Sequence, residues 1–210
     1  MASSPPRVAL IEYGVGNLGS VLNACRRCGV EPVIARTAAE LDSASPTHIL
    51  LPGVGAVGEV LANLRAQDLE PALRRHVLDQ ETPLLGICVG MQMLADSCEE
   101  HGEHTGLGFI PGRVKHLGPL VGDRPLPHIG WNTIRPAATD DPLWRTVIDE
   151  HFYFLHSYAF VCEPEFAACQ TEYGGEFVSG VKRGNVYGVQ FHPEKSSAAG
   201  MRLLDNFFHI

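Results

Sequence analysis

Short apolar runs alternate with amphipathic stretches through the first half of the chain. Four runs are apolar on both faces, as buried parallel strands are, and they span Arg7–Tyr13, Pro32–Ala35, His48–Leu51 and Leu84–Cys88. Apolar residues recur at helical spacing in the stretches between and after these runs, at Asn17–Cys28, Val57–Leu64, Glu70–Leu78 and Val89–Ala95. This alternation predicts an α/β fold with a doubly wound, mostly parallel sheet flanked by helices.

After about Gly102 the pattern changes to short runs that alternate between apolar and polar positions and are separated by Gly, Pro and Asn. They predict antiparallel strands on one side of the sheet, at Arg113–Leu117, Ile129–Ile134, Phe152–Phe160, Ala167–Tyr173, Phe177–Lys182 and Val186–Phe191. A closing helix is predicted over Ser197–Phe208, with Ser196 or Ser197 as its cap. No repeat or linker separates the two halves, so we expect one domain over residues 7–210 after a disordered N-terminus at residues 1–6.

Composition and charge narrow the classes of partner. The chain has 210 residues, of which 45% are hydrophobic, and a formal net charge of −8 with no run of Lys or Arg, which argues against nucleic acid. It has no apolar segment of the roughly 18 residues that a membrane span needs, and its N-terminus lacks the apolar core of a signal peptide. Six scattered cysteines are typical of free thiols in a reducing compartment. These features predict a cytoplasmic protein.

The strongest local motif is Gly-Ile-Cys-Val-Gly at Gly86–Gly90, where a predicted strand meets a predicted helix. The arrangement matches a nucleophile elbow with sulfur in place of oxygen, and it would expose the Cys88 thiol at the carboxyl end of the sheet. The Val89 amide, at the start of the helix, could donate to an oxyanion. The alternative is a small buried cysteine that serves only packing.

A thiolate nucleophile needs a base, and ten histidines are available. His192 ends the apolar run Val186–Phe191 and is followed by Pro193 and Glu194. Pro193 stops the strand, and a carboxylate two residues after the histidine can orient its ring. Both this motif and the elbow lie at carboxyl ends of predicted strands, where α/β proteins place their sites. The sequence therefore predicts a Cys88–His192–Glu194 triad.

Two glycine-rich turns follow other strands. Pro52-Gly53-Val54-Gly55 could direct backbone amides into the site as the second part of an oxyanion hole. Gly14-Val-Gly16-Asn-Leu-Gly19 matches a dinucleotide fingerprint, and Arg36 could meet the 2′-phosphate of NADP, although the second strand ends without an acidic residue for a ribose. This nucleotide-binding alternative stays open at the level of the residues.

Metal ligation has weaker support. Cys25 and Cys28 fall in a predicted helix without a second pair at zinc spacing, and Cys98, His101 and His104 lie in a polar loop without a clear fourth ligand. We expect no metal and no cofactor.

Taken together, Gly86–Gln92 and Tyr187–Ser196 resemble the class I (triad) glutamine amidotransferases. Four further segments are similar to one branch of that family, the glutaminase subunits of imidazole glycerol phosphate synthase; they are Ile11–Ser20, Pro52–Gly55, Pro127–Asn132 and Leu155–Tyr158. The resemblance spans nearly the whole chain and implies a flavodoxin-like fold. In these proteins the glycine-rich turn near the N-terminus belongs to the fold near the subunit interface and binds no dinucleotide.

The resemblance also implies the roles of individual residues. Cys88 would attack the side-chain amide of L-glutamine, His192 would move the proton, and Glu194 would orient His192. Val89 with Gly53, Val54 and Gly55 would form the oxyanion hole. Gln92 and the backbone of Ser157 and Tyr158 would hold the substrate. The cyclase, which some relatives carry on the same polypeptide, would be a separate subunit that Asn17, Trp131, Tyr153 and Lys195 face.

Overall fold

The structure, a computed structural model, describes residues 5–14 and 18–210. Its strands, in chain order, are β1 (Val8–Ile11), β2 (Val33–Ala35), β3 (His48–Gly53), β4 (Leu84–Cys88), β5 (Ser97–Cys98), β6 (His104–Thr105), β7 (Arg113–His116), β8 (His128–Thr133), β9 (Arg135–Pro136), β10 (His151–His156), β11 (Tyr158–Val161), β12 (Ala167–Glu172), β13 (Glu176–Arg183) and β14 (Val186–Val189). The four parallel strands predicted for the first half are thus confirmed, with β1 and β2 shorter than expected.

The helices are α1 (Leu18–Arg27), α2 (Ala38–Ala44), α3 (Val57–Ala66), α4 (Leu69–Arg74), α5 (Val89–Met93), α6 (Gly118–Val121) and α7 (Ser197–Phe208). The short α2 was not predicted; Thr37 is its N-cap, and the Thr37 hydroxyl accepts from the Glu40 amide at 3.2 Å. The helix predicted over Glu70–Leu78 is α4 followed by a π-helical turn at Arg75–Asp79. α1 packs on α7, while α2 packs on α4, α4 on α3 and α3 on α5, so two groups of helices flank the sheet.

The main sheet has the strand order β2-β1-β3-β4-β14-β13-β11-β7-β5-β6, with β12 and β9 added beside β13. β2, β1, β3, β4 and β14 are mutually parallel, and β13 then pairs with β14 in the antiparallel sense. The doubly wound, mostly parallel core with added antiparallel strands is therefore confirmed, and β14 is the strand at which the two parts meet.

Two details of the predicted second half are wrong. The run Phe152–Phe160 is not one strand, because the chain breaks at Ser157 into β10 and β11. β10 does not join the main sheet but pairs with β8 in a separate antiparallel two-stranded sheet, in which Tyr153 lies opposite Trp131. Alternating apolar residues show that a strand is half-buried, but they do not identify its partner.

Apolar residues from both parts form one contiguous buried core. Trp144, Phe152, Phe154, Phe160 and Phe191 are among its largest fully buried side chains. Over the described residues, none of the helices has the length and apolar character that crossing a membrane requires.

Candidate active site

Three neighbouring parallel strands end at the same edge of the sheet. β3 ends at Gly53 and β4 at Cys88, and these two residues are partners in the parallel register. β14 lies on the other side of β4, and His192 follows its end by three residues. Adjacent parallel strands bring their carboxyl ends together, so residues that are far apart in the sequence meet here.

Cys88 lies in the sharp turn between β4 and α5. Its backbone angles are φ 55° and ψ −111°, which a residue with a side chain rarely adopts. The flanking glycines are required because there is no room for a side chain at either position. A Cβ on Gly90 would lie 1.7 Å from the Leu51 carbonyl oxygen, and one on Gly86 would lie 2.7 Å from the Gly90 carbonyl oxygen. The predicted elbow is therefore present, with the positive φ on the cysteine itself.

His192 and Glu194 form a buried pair beside Cys88. His192 Nδ1 lies 2.7 Å from Glu194 Oε1, which leaves Nε2 for the interaction with the Cys88 side chain. Burial on its own would lower the pKa of His192, but the contacts with Cys88 and Glu194 outweigh burial and raise it to about 9. The structure thus brings the three predicted triad residues together.

The backbone of His192 is fixed to strand β10. The His192 amide donates to the Tyr153 carbonyl at 2.9 Å, and the Ser196 hydroxyl donates to the His192 carbonyl at 2.5 Å while accepting from the Tyr153 amide at 3.0 Å. Ser196, one of the two predicted cap residues, is the N-cap of α7, but its hydroxyl is engaged by His192 and Tyr153 and makes no hydrogen bond to a helix amide.

A cavity of about 240 Å³ opens in front of Cys88. Nine of the residues predicted from the sequence line it: Val54, Gly55, Cys88, Val89, Gln92, Ser157, Tyr158, His192 and Lys195. Gly53 lies outside the lining, where a Cβ would come within 2.7 Å of the Gly90 amide nitrogen. Glu194 lies behind His192, and Asn17 falls outside the described residues.

Gln92 connects two walls of the cavity. Its Nε2 donates to the Tyr158 carbonyl at 3.2 Å and to Gln190 Oε1 at 3.1 Å, and Gln190 Nε2 approaches the Cys88 sulfur at 3.8 Å. Gln190 is fully buried and was not predicted. A polar residue inside the apolar run Val186–Phe191 was the signal that could have marked it.

Four further residues line the cavity and were not predicted for it: Glu100, Pro127, Leu155 and His156. Glu100 Oε2 accepts from the Val57 amide at 2.8 Å, so the carboxylate is held at the start of α3. Glu100 lies in an irregular polar segment, and no local pattern in the sequence distinguishes it from its charged neighbours.

A buried tyrosine is hydrogen-bonded to the end of β3, where the turn begins. The Tyr13 hydroxyl donates to the Pro52 carbonyl oxygen, and burial with the nearby Cys88 raises the pKa of Tyr13. Val54 and Gly55 follow at the cavity wall, with Gly55 at a φ of 92°. This loop therefore borders the cavity on the side of Cys88 that faces β3.

The outer face of the two-stranded sheet carries exposed apolar side chains. Ile129 is 57% exposed, Trp131 53% and Leu155 40%. Tyr153 lies edge-on to Trp131 with ring centroids 6.2 Å apart, and Lys195 Nζ lies 5.9 Å from the Tyr153 ring centroid. Leu155 and Lys195 also line the cavity, so this apolar face and the cavity adjoin.

The alternative sites gain no support. Arg36, the candidate for a 2′-phosphate, is paired with Glu12 at 2.6 Å, and Gly16 of the fingerprint lies outside the described residues. Cys28 donates to the Met201 carbonyl. Within residues 5–14 and 18–210, no group of three or more His, Cys, Asp or Glu side chains is placed to hold a metal ion.

Known proteins resemble the chain in sequence over almost its whole length. The family model described as glutamine amidotransferase class-I matches residues 9–210. The chain is 43% identical to a protein of Bdellovibrio bacteriovorus, over 97% of this chain and 100% of that one, and 46% identical to one of Zymomonas mobilis, over 95% and 94%. Both relatives are named imidazole glycerol phosphate synthase subunit HisH.

Solved structures resemble the chain in fold. A protein of Thermoplasma acidophilum described as part of a putative GMP synthase has a TM-score of 0.71 at 20% identity, with 99% of this chain and 94% of that chain covered. The structure described as PurLQS from Thermotoga maritima has a TM-score of 0.74 at 17% identity, with 98% and 99% covered. At these identities the likeness concerns the fold alone.

Proposed function

Because the chain belongs to the class I glutamine amidotransferase family, we propose that it hydrolyses L-glutamine to glutamate and ammonia through a thioester on Cys88. The observation that carries the proposal is the arrangement of Cys88, His192 and Glu194 at one cavity. Cys88 stands in a sharp elbow, and His192 interacts with it through one ring nitrogen while the other is bonded to Glu194. This is the order of groups that nucleophilic acyl transfer requires.

The steps follow from these positions. The Cys88 thiolate attacks the amide carbon of the glutamine side chain, and the charge that develops on the oxygen is stabilised by the Val89 amide and amides of Gly53–Gly55. His192 gives its proton to the leaving nitrogen, ammonia departs and a thioester remains. His192 then takes a proton from water, which attacks the thioester and releases glutamate and the Cys88 thiolate. Glu194 holds His192 in one orientation throughout.

Substrate binding is assigned to the remaining walls of the cavity. The carbonyl oxygens of Ser157 and Tyr158 are bonded within the protein, to the Leu117 amide and to Gln92 respectively. This segment would therefore bind the α-carboxylate of glutamine through N–H groups. The Glu100 carboxylate would bind the α-ammonium group, because the two are opposite charges at one cavity.

Within the family, the chain is the glutaminase subunit of imidazole glycerol phosphate synthase. Its curated relatives carry that name at identities of 43% and 46% over nearly their whole length. The ammonia would pass to a separate cyclase subunit that makes imidazole glycerol phosphate and AICAR in histidine biosynthesis. Free ammonia is largely protonated near neutral pH and is then no nucleophile, so direct transfer through a dry passage is favoured.

The exposed apolar face of the β8–β10 sheet, formed by Ile129, Trp131, Leu155 and the partly buried Tyr153, is the surface that we assign to the cyclase; we call it the docking face. Exposed apolar patches of this kind mark protein interfaces. Leu155 belongs to the docking face and Lys195 to its rim, and both residues also line the cavity. A docked cyclase would therefore cover the cavity and receive the ammonia.

The six cysteines are all free thiols, which supports a cytoplasmic location.

The test is glutamate release from glutamine by the purified chain, alone and with a cyclase subunit plus its ribulosyl acceptor. We expect release to be strong only in the complete mixture, because glutamine hydrolysis without an acceptor is unproductive. Cys88→Ala should abolish it, whereas Cys169→Ala, which removes another buried thiol, should leave it unchanged. Equal rates with and without the cyclase would contradict partner dependence, and no release from any mixture would contradict the glutaminase assignment.

A further inference from the structure

Two buried histidines that have no part in the mechanism above lie side by side next to the cavity. His128 begins β8 and His156 ends β10, and they are partners in the register of the two-stranded sheet. Both are buried, and His128 Nδ1 lies 3.1 Å from His156 Nε2. One of these two nitrogens must donate and the other must accept, so the protonation of the pair can be worked out from its neighbours.

Asn132 fixes the first ring. Its Oδ1 accepts from the Thr133 amide at 2.8 Å, which identifies the other side-chain atom as Nδ2. Nδ2 donates to the Glu172 carbonyl at 2.8 Å and faces His128 Nε2 at 3.3 Å. An amide nitrogen can only donate, so His128 Nε2 must accept and the proton of the neutral ring is on Nδ1.

The second ring follows from the first. His128 Nδ1–H donates to His156 Nε2, which therefore carries no proton. His156 Nδ1 faces the Tyr158 carbonyl oxygen at 2.8 Å, and a carbonyl can only accept. Both rings are thus neutral Nδ1–H tautomers, and the bonds run in one direction from Asn132 through His128 and His156 to Tyr158.

The surroundings keep both rings uncharged. Burial lowers the pKa of His128 to about 4 and that of His156 to about 3, against a weaker opposing effect of the Tyr158 carbonyl on His156. Aromatic rings pack on the pair: Tyr173 stacks on His128 with centroids 4.0 Å apart, and Phe177 lies 5.1 Å from His156. A neutral pair with fixed tautomers has a single hydrogen-bonded arrangement at neutral pH.

The two ends of the series lie at functionally different places. Tyr158, at one end, lines the cavity, and its carbonyl also accepts from Gln92. Asn132, at the other end, belongs to β8 and directly follows Trp131 of the docking face. The series therefore connects β8 to the backbone at the wall of the cavity through the side chains of His128 and His156.

We propose that His128 is a positioning residue for glutamine binding, which acts by holding His156 against the Tyr158 carbonyl and so fixes the Ser157–Tyr158 backbone. The proposal rests on the proposed function, in which that backbone holds the substrate. His128 touches no substrate, since it does not line the cavity, whereas His156 does. The expected effect is therefore on substrate affinity rather than on the chemical step.

Kinetics of the complete complex test this role. His128→Phe keeps an aromatic ring against Tyr173 but cannot donate to His156, so KM for glutamine should rise about fivefold, the value of one lost hydrogen bond, with little change in kcat. His128→Asn keeps a donor near the Nδ1 position and should restore most of the affinity. Phe177→Leu loosens the same aromatic cluster without removing a polar atom, so it should leave KM unchanged. A rise in KM for Phe177→Leu equal to that for His128→Phe would show that packing alone matters and would overturn the proposal.

Nitrogen NMR spectra of histidine-labelled protein provide a test that does not depend on turnover. Both rings should show the neutral Nδ1–H tautomer, and His128→Phe should alter the His156 signal. An Nε2–H tautomer or a charged ring at either position near neutral pH would overturn the proposal. Wrong tautomers with normal glutamate release would refute the positioning role alone, whereas correct tautomers without any release would refute the proposed function and, with it, the role in glutamine binding.

Discussion

Two opposing influences act on the pKa of the buried His192 ring. Removal from water disfavours the imidazolium ion, and the adjacent Cys88 and Glu194 favour it. The second influence prevails, and the pKa of His192 is raised to about 9. A histidine with the ordinary value of about 6.5 is mostly neutral at pH 8, whereas His192 is charged there. In the proposed mechanism, a charged His192 can protonate the leaving nitrogen.

This balance makes a prediction for the Cys88→Ala variant. Cys88 is the larger of the two favourable influences, and burial remains when it is removed, so the pKa of His192 should fall from about 9 in the wild type. NMR titration of the His192 ring in the free chain measures it. A wild-type midpoint for His192 near the ordinary histidine value, unchanged by the substitution, would contradict the coupling.

Single residues of the candidate site could be predicted from the sequence where they belong to a local motif. Cys88 stands between two glycines at a strand–helix junction, and His192 and Glu194 flank a proline after an apolar run. Glu100 and His156 line the cavity, and Gln190 contacts Cys88, only because the tertiary structure places them there. Gln190, for example, contacts Cys88 because β14 pairs with β4, and that pairing joins segments about 100 residues apart that carry no sequence signal for each other.

At the scale of elements, the elbow between β4 and α5 depends on space that only glycine leaves. Gly90 lies against the Leu51 carbonyl oxygen, at the contact between α5 and β3. Gly184, in the turn between β13 and β14, has the opposite character: its φ is 57°, but nothing lies within 4 Å of a Cβ there. Glycine is therefore required at position 90 for steric reasons, whereas at position 184 it is favoured by the backbone conformation.

Alanine substitutions should therefore differ in cost. Gly184→Ala should lower the free energy of unfolding by about 1 kcal/mol, the penalty of a left-handed conformation for a residue with a Cβ. Gly90→Ala should cost at least about 3 kcal/mol, because β3 and α5 must separate to relieve a 1.7 Å contact. Chemical denaturation of both variants measures the difference. Equal costs would mean that α5 shifts freely, and the elbow would then not be fixed by this contact.

The order of the elements along the chain could be predicted from the sequence more completely than the pairing of the strands. Apolar runs and helical periodicity locate the strands and most helices of the first half, because burial on both faces leaves a direct mark on the sequence. The separate β8–β10 sheet and the break at Ser157 were not predicted, since alternation gives the buried face of a strand and not its neighbour. That break is what carries Ser157 and Tyr158 to the cavity.

For the whole molecule, the position of the docking face relative to the cavity is the property that bears on function. His192 is bonded to Tyr153 of β10 through its backbone, and β10 pairs with β8 along its whole length. His192 is thus connected through β10 to the docking face, although His192 itself follows β14 of the main sheet. A partner bound to that face would contact the element that holds His192.

This arrangement predicts that Trp131→Ala weakens binding of the cyclase subunit. Trp131 is 53% exposed, so its removal should leave the free energy of unfolding of the free chain nearly unchanged, while a large aromatic side chain at the centre of an interface contributes strongly to affinity. We expect Kd for the cyclase to rise at least about tenfold, or about 1.4 kcal/mol. Calorimetric titration measures it, and glutamate release should be low at limiting cyclase and recover when cyclase is in excess.

Val33→Ala is the matched control for this substitution. Val33 is 51% exposed, close to the 53% of Trp131, but it lies on β2 at an edge of the main sheet and not in the β8–β10 sheet. Its loss should change neither cyclase affinity nor turnover, because β2 contributes no residue to the cavity lining and does not pair with β8 or β10. If Trp131→Ala left the Kd unchanged, or if Val33→Ala raised it as much, the cyclase would bind elsewhere. The link from the docking face through Tyr153 to His192 would then have no role in partner-dependent turnover.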